Sequence, residues 1–193
     1  MSVATPERIL NVPNVLTTVR LVLAIVVFVL IALTLYLPAF VVFLLAASTD
    51  WVDGYWARRF GQVSKVGRIL DPFVDKIIIC GAFIFLAAER PESGIEPWVA
   101  VVVVGRELLV TALRSAVEAS GGDFSASWPG KWKMFFQCVA AAASLLALTY
   151  RGDHVPPQFI RLTLVISVWL TVLTTVYSGL DYVVAAIRQM RKA

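Results

Sequence analysis

The sequence predicts an all-α, polytopic integral membrane protein with about six transmembrane helices and a short N-terminal juxtamembrane segment. Composition, hydropathy and charge placement each point that way. Of 193 residues, 59% are hydrophobic and only 16% are charged, whereas a soluble domain of this length carries roughly 25% charged residues. Mean hydropathy is +0.81, and apolar runs near the roughly 20 residues that cross a bilayer recur along the whole chain. The lysines and arginines fall mostly on one side of those runs.

The expected spans are approximately 15–36, 38–58, 71–89, 96–119, 131–149 and 157–187, within a single domain over 1–193. The polar, Pro-containing first 14 residues lead into a run long enough to span, unlike the short core of a cleavable signal peptide. Pro38 punctuates a very short first turn. Pro72 suggests that the third helix starts, or kinks, near Asp71. "RPESGIEP" (90–97), "ASGGDFSASWPG" (119–130) and "YRGDHVPPQ" (150–158) are loops. No internal repeat is present.

With six spans, both termini and the 2–3 and 4–5 connections share one side. Fourteen of the 17 Lys and Arg lie on that side or in its half of the membrane, against Arg90, Arg151 and Arg161 on the other. The basic side is therefore expected to be cytoplasmic, in a multi-pass protein of the cell membrane. The net charge of +4 answers to anionic lipid and anionic substrates, with no nucleic acid required. Cys80 and Cys138 read as small buried hydrophobes, suggesting neither a disulfide framework nor a zinc site. His154 reads as loop surface, and the six tryptophans suit an aromatic belt near span ends.

The chemistry concentrates in "STDWVDGYWARRFGQVSKVGRILDPFVDK" (48–76). Asp50, Asp53, Asp71 and Asp75 lie in or beside apolar segments, and ionisable groups there mark a site by default. Asp50 and Asp53 are three apart and Asp71 and Asp75 four apart, so on helices each pair shares a face. Gly54 and Ala57 share the first face and Arg58 lies at its edge; small residues there let a ligand or helix approach. Four carboxylates facing one another repel, so either some are protonated or cations sit between them. Four Asp with no nearby His favour magnesium or manganese over zinc. Two such ions make a clamp for a phosphate or diphosphate. Ion pairing with Arg58, Arg59, Arg68 and Lys76 explains neither the shared faces nor the small residues.

The pattern Asp50-x2-Asp53-Gly54-x2-Ala57-Arg58-x8-Gly67-x3-Asp71-x3-Asp75 resembles the signature of the CDP-alcohol phosphotransferases at every fixed position and spacing. The resemblance implies that Asp50 and Asp71 bridge two divalent ions, that Asp53 binds one of them and that Asp75 binds the other. It further implies that Asp75 is general base on an acceptor hydroxyl and that Gly54, Ala57 and Arg58 hold the CDP part of the donor. Ser64 falls where the family often has a hydroxyl contact to the donor, and a homodimer is implied. Such chemistry needs diphosphate neutralised, an alcohol aligned and its proton removed, which metals and a carboxylate supply.

Three further stretches resemble the bacterial phosphatidylglycerophosphate synthases of that family: "NVPNVLTTVR" (11–20), "GRELLVTALRSAVEASG" (105–121) and "SWPGKWKMFFQ" (127–137). Met134 departs from the usual Thr. The resemblance implies CDP-diacylglycerol as donor and sn-glycerol 3-phosphate as acceptor. Arg106, Arg114, Lys131 and Lys133, at the cytoplasmic ends of their spans, suit a phosphomonoester, and arginine offers bidentate geometry. Snorkelling anchors are the bland reading of the same residues. Asn14 and Thr17 either line the donor pocket or cap the first helix. The close alternative is the same chemistry with another acceptor: phosphatidylglycerol in a cardiolipin synthase, or inositol phosphate or serine. A cation transporter would place its acids nearer mid-membrane.

Overall fold

The computed structural model describes residues 12–60, 65–119, 129–152 and 155–190, with side chains at 15, 17–49, 73–74, 76–119, 132–152 and 155–189. These residues form six α-helices and no strand: α1 (Val12–Ala32), α2 (Tyr36–Phe60), α3 (Lys65–Ala88), α4 (Pro97–Ala119), α5 (Pro129–Leu148) and α6 (Gln158–Met190). The chain divides into two compact units, Met1–Gly81 and Ala82–Ala193.

In the first unit α1 packs along α2. Thr17, Arg20, Ala24, Val27 and Ile31 are the buried stripe of α1, and Tyr36, Ala39, Phe43 and Ala46 that of α2. Both follow the three-and-four spacing of one helical face. The Phe28 ring lies where a Cβ on Gly81 would stand, so α3 offers α1 a bare backbone there.

Two expected boundaries move. The first helix ends at Ala32 and not at 36, and Pro38 sits inside the first turn of α2, where its missing N–H is not needed. The chain reverses through Leu33–Leu35. Thr34 N–H donates to the Ile31 carbonyl at 2.8 Å and Leu35 N–H to the Leu30 carbonyl at 2.9 Å, with Thr34 at φ 57°. This is a Schellman ending with threonine in the left-handed position that glycine normally takes. A β-branched residue is strained there. Thr34→Gly is accordingly expected to stabilise the fold by about 1 kcal/mol, read as a higher midpoint of thermal unfolding in detergent. The second shift is α3, which begins at Lys65, six residues before Asp71, and continues through Pro72. A proline forfeits one backbone bond in mid-helix, and the other bonds of this 24-residue helix carry it past that loss.

The second unit is built on α6, which packs against both α5 and α4. On α5 the buried face is Lys133, Gln137, Ala140, Ala141, Ser144 and Leu148; on α6 it includes Leu164, Ser167, Thr171, Thr175, Ser178 and Tyr182. Small and hydroxyl side chains thus fill the inside, while Leu162, Val165, Ile166, Leu173, Val176 and Leu180 stand outward. Close backbone approach through small residues is how helices associate when their surroundings are as apolar as their cores. At the far end, Ser144 Oγ donates to the buried Ser93 carbonyl at 2.6 Å. Gly94, at φ 65°, lies under Leu164, whose Cδ2 would stand 2.7 Å from a Cβ there. Arg151 pairs with Glu89 at 2.7 Å and reaches Glu92 at 3.8 Å, and Arg90 pairs with Glu96 at 2.7 Å. Two of the three arginines expected on the sparse side are therefore matched by acids.

Among the described residues one helix is long and apolar enough to cross a membrane, Gln158–Gln189. The apolar stretches Thr17–Ala32, Tyr36–Thr49, Lys76–Ala88 and Trp132–Leu148 are shorter, and α4 carries Arg106, Glu107, Arg114 and Glu118.

Candidate active site

The four aspartates lie on two helices of the first unit. Asp50 and Asp53 are in the second half of α2, and Asp71 and Asp75 are in the first half of α3. The helical assignment preserves the three- and four-residue registers that set each pair on one face. The side chains of Asp50, Asp53, Asp71 and Asp75 lie outside the described residues, as do those of Ala57, Arg58, Asn14 and Lys131 and the whole of Ser64; Gly54 lies in α2. The neighbouring hydroxyls bond within their own helix. Ser48 Oγ donates to the Leu45 carbonyl at 2.8 Å and Thr49 Oγ1 to the Ala46 carbonyl at 2.7 Å, so both are spent on their own helix. A donor set of carboxylates alone fits hard divalent cations. Among the described residues no group of three or more His, Cys, Asp and Glu is gathered for a metal.

On α1, Thr17 and Arg20 are each 3% exposed and share the buried stripe. Thr17 therefore faces the interior of its unit and not the surroundings. Arg20 was not among the expected site residues. It closes "NVPNVLTTVR", and a charge buried in an apolar helix is a pointer to function.

In the second unit Arg106 and Lys133, two of the residues expected at the acceptor, join a network around a buried carboxylate. Glu107 occupies the buried stripe of α4 with Val103 and Val110. Its Oε1 accepts hydrogen bonds from Lys133 Nζ of α5 and from Arg106 Nη1 at 3.2 Å. All three side chains are at most 10% exposed, so the pairing lies in a low dielectric where a lone charge is costly. Arg106 Nε donates to Ser178 Oγ of α6 at 3.2 Å, and its guanidinium lies 5.3 Å from the centre of the Tyr182 ring. Arg114 follows Glu107 by seven residues, within about 20° of it around the helix, whereas Arg106 and Arg114 are about 80° apart. Arg114 Nε is buried with no hydrogen-bond partner. Among the described residues Glu107 is paired with two cations, Arg106 and Lys133, and the orphaned Arg114 Nε is a donor in want of an acceptor.

Gln137 Nε2 and the Thr171 and Thr175 Oγ1 atoms are likewise buried and unpartnered. Lys133 and Gln137 share a face of α5 at four-residue spacing.

Glu107, Ser178 and Tyr182 were not expected site residues. One signal in the sequence marks α6: Ser167, Thr171, Thr175, Ser178 and Tyr182 recur at spacings of four, four, three and four, a polar stripe at helical period within an apolar run.

Comparison with known proteins decides the family. The model of the CDP-alcohol phosphatidyltransferases matches residues 10–177. The chain belongs to that family. The match extends well past residue 137, where the resemblance of particular stretches ends. Among relatives of this phosphatidyltransferase, a Bacillus subtilis protein named CDP-diacylglycerol–glycerol-3-phosphate 3-phosphatidyltransferase is 31% identical, over 89% of this chain and 93% of its own length. A Yersinia pestis protein of the same name is 33% identical, over 92% of this chain and 95% of its own. A Mycobacterium tuberculosis protein named probable phosphatidylglycerophosphate synthase is 35% identical, over 97% of this chain and 87% of its own. The aspartate-bearing helices α2 and α3, the Glu107 network and most of α6 all lie inside the matched stretch.

Proposed function

We propose that this enzyme transfers the phosphatidyl group from CDP-diacylglycerol to sn-glycerol 3-phosphate, giving phosphatidylglycerophosphate and CMP. The buried cationic network around Glu107 carries the choice of acceptor: a phosphomonoester is the ligand that buried, hydrogen-bonding cations accommodate. The names of the relatives support the same reaction. Serine or phosphatidylglycerol would bring no phosphomonoester to Arg106, Arg114, Lys131 and Lys133.

Asp75 takes the proton of the acceptor's free primary hydroxyl. That oxygen attacks the lipid-side phosphorus, the P–O bond to the CMP phosphate breaks, and CMP leaves. Gly54, Ala57, Arg58 and Ser64 hold the donor, with Asn14 and Thr17 at its pocket. Asp50, Asp53, Asp71 and Asp75 would hold two magnesium or manganese ions, whose charge would offset that of the diphosphate. The chain acts as one domain of six spans in the cell membrane, as a homodimer, with its site open to the cytoplasm. The outward Leu, Val and Ile residues of α1, α2 and α6 are the faces expected to meet lipid or a second copy.

Acceptor-dependent CMP release from CDP-diacylglycerol tests the assignment. sn-Glycerol 3-phosphate is expected to drive release, and serine, inositol phosphate and phosphatidylglycerol are not. Preference for one of those three would overturn the acceptor. A chelator of divalent cations is expected to abolish release, and magnesium or manganese to restore it. Full turnover in chelator would refute the two-ion site.

A further inference from the structure

Arg106 is held from more directions than a membrane anchor needs. Nη1 is bonded to Glu107 and Nε to Ser178, and one face of the guanidinium lies over Tyr182. Ser178 is itself oriented, because its hydroxyl donates to the Thr175 carbonyl at 3.2 Å. That bond commits the Ser178 proton and leaves an oxygen lone pair for Arg106 Nε. Between these two residues Gly179 leaves space for the stem, since a Cβ there would stand 3.3 Å from Arg106 Cγ. Residues 178, 179 and 182 form one turn of α6, just beyond the matched stretch that ends at 177. Nη2 is the guanidinium nitrogen left without a partner among the described residues.

We propose that Ser178, Gly179 and Tyr182 are positioning residues that aim Arg106 Nη2 at the phosphate of the acceptor. This rests on the phosphorylated acceptor proposed above. A free arginine side chain must give up rotamer freedom when it binds an anion; one already clamped on three sides has little left to lose. The last helix thereby contributes to acceptor affinity without touching the acceptor.

The test is steady-state kinetics of CMP release by the full chain in detergent or vesicles, varying each substrate in turn. Ser178→Ala, Gly179→Ala and Tyr182→Leu are each expected to raise the acceptor KM about 5- to 20-fold, with kcat and the donor KM within about twofold. Tyr182→Phe keeps the ring and is expected to stay near wild type. In an Arg106→Lys background, Ser178→Ala is expected to add less than about twofold, because lysine has no Nε to lose. Equal changes in the KM of both substrates would overturn the proposal. So would a Ser178→Ala penalty that multiplies in full on Arg106→Lys, or a Tyr182→Phe penalty matching that of Tyr182→Leu. Gly179→Ala adds a single methyl and serves as the gentler probe should Tyr182→Leu fail to fold. Wild-type protein that releases no CMP in response to glycerol 3-phosphate overturns the underlying acceptor assignment. Normal wild-type kinetics with unresponsive variants overturns the α6 clamp alone.

Discussion

Asp75→Asn is expected to lower CMP release by about a thousandfold or more while CDP-diacylglycerol still binds. The amide keeps the size of the carboxylate and a carbonyl oxygen, so the helix and much of the donor site survive. It cannot take a proton from the acceptor hydroxyl. An uncharged alcohol is a poor nucleophile toward a diphosphate, and the barrier rises accordingly. Donor binding, followed with labelled CDP-diacylglycerol, is expected to change only a few-fold, because Asp50, Asp53 and Asp71 remain. Turnover at the wild-type rate would remove Asp75 from its role as base. Loss of donor binding together with turnover would make it a ligand first and a base second.

Glu107→Ala is expected to be the most damaging single change to the fold of the second unit, at about 3–5 kcal/mol. Its carboxylate oxygen serves Lys133 and Arg106 together, and all three side chains are at most 10% exposed. Truncation removes the carboxylate that two buried cations share. Less of their desolvation is offset, and α4 and α5 lose the ion pair that joins them. Thermal unfolding in detergent would show the loss as a lower midpoint. Glu107→Ala with Lys133→Met should recover part of it, since one of the stranded charges is then gone. An unchanged midpoint in Glu107→Ala would mean that water or lipid headgroups reach the pair.

What could be read in advance follows from how far apart the interacting residues stand in the chain. The aspartate pairs are local, three and four residues apart, and helical register alone sets them on one face. The helices α4, α5 and α6 were placed to within three residues at each end, because proline marks their starts at Pro97, Pro129 and Pro157. The turn between α1 and α2 was misplaced because Leu33, Leu35 and Leu37 continue the apolar run. Only the backbone angle at Thr34 breaks it, and no glycine announces that angle. Pro72 makes the start of α3 read too late in the sequence, because one missing hydrogen bond does not end a 24-residue helix. Lys133 and Glu107 are 26 residues apart and were visible as charges, not as a pair. Arg106 and Ser178 are 72 apart, and nothing near either residue points to the other. The α6 hydroxyls were legible only as a periodicity, and a serine or threonine in an apolar run does not stand out as an aspartate does.

The inner face of α5 is made largely of alanine: Ala140, Ala141, Ala143 and Ala147 are buried with Ser144 between them. Alanine has no rotamer to change and no length to spare. The distance from α5 to α6 is therefore a gauge cut by residues that cannot be adjusted, and Lys133 rides at one end of it. Drift in this protein is free to run through the outward valines and leucines, where one aliphatic side chain replaces another at little cost. It is closed along the gauge, where a single added methylene would part the two helices and lift Lys133 away from Glu107. Homologous chains can come to look unlike one another over most of their surface while that spacing stays the same.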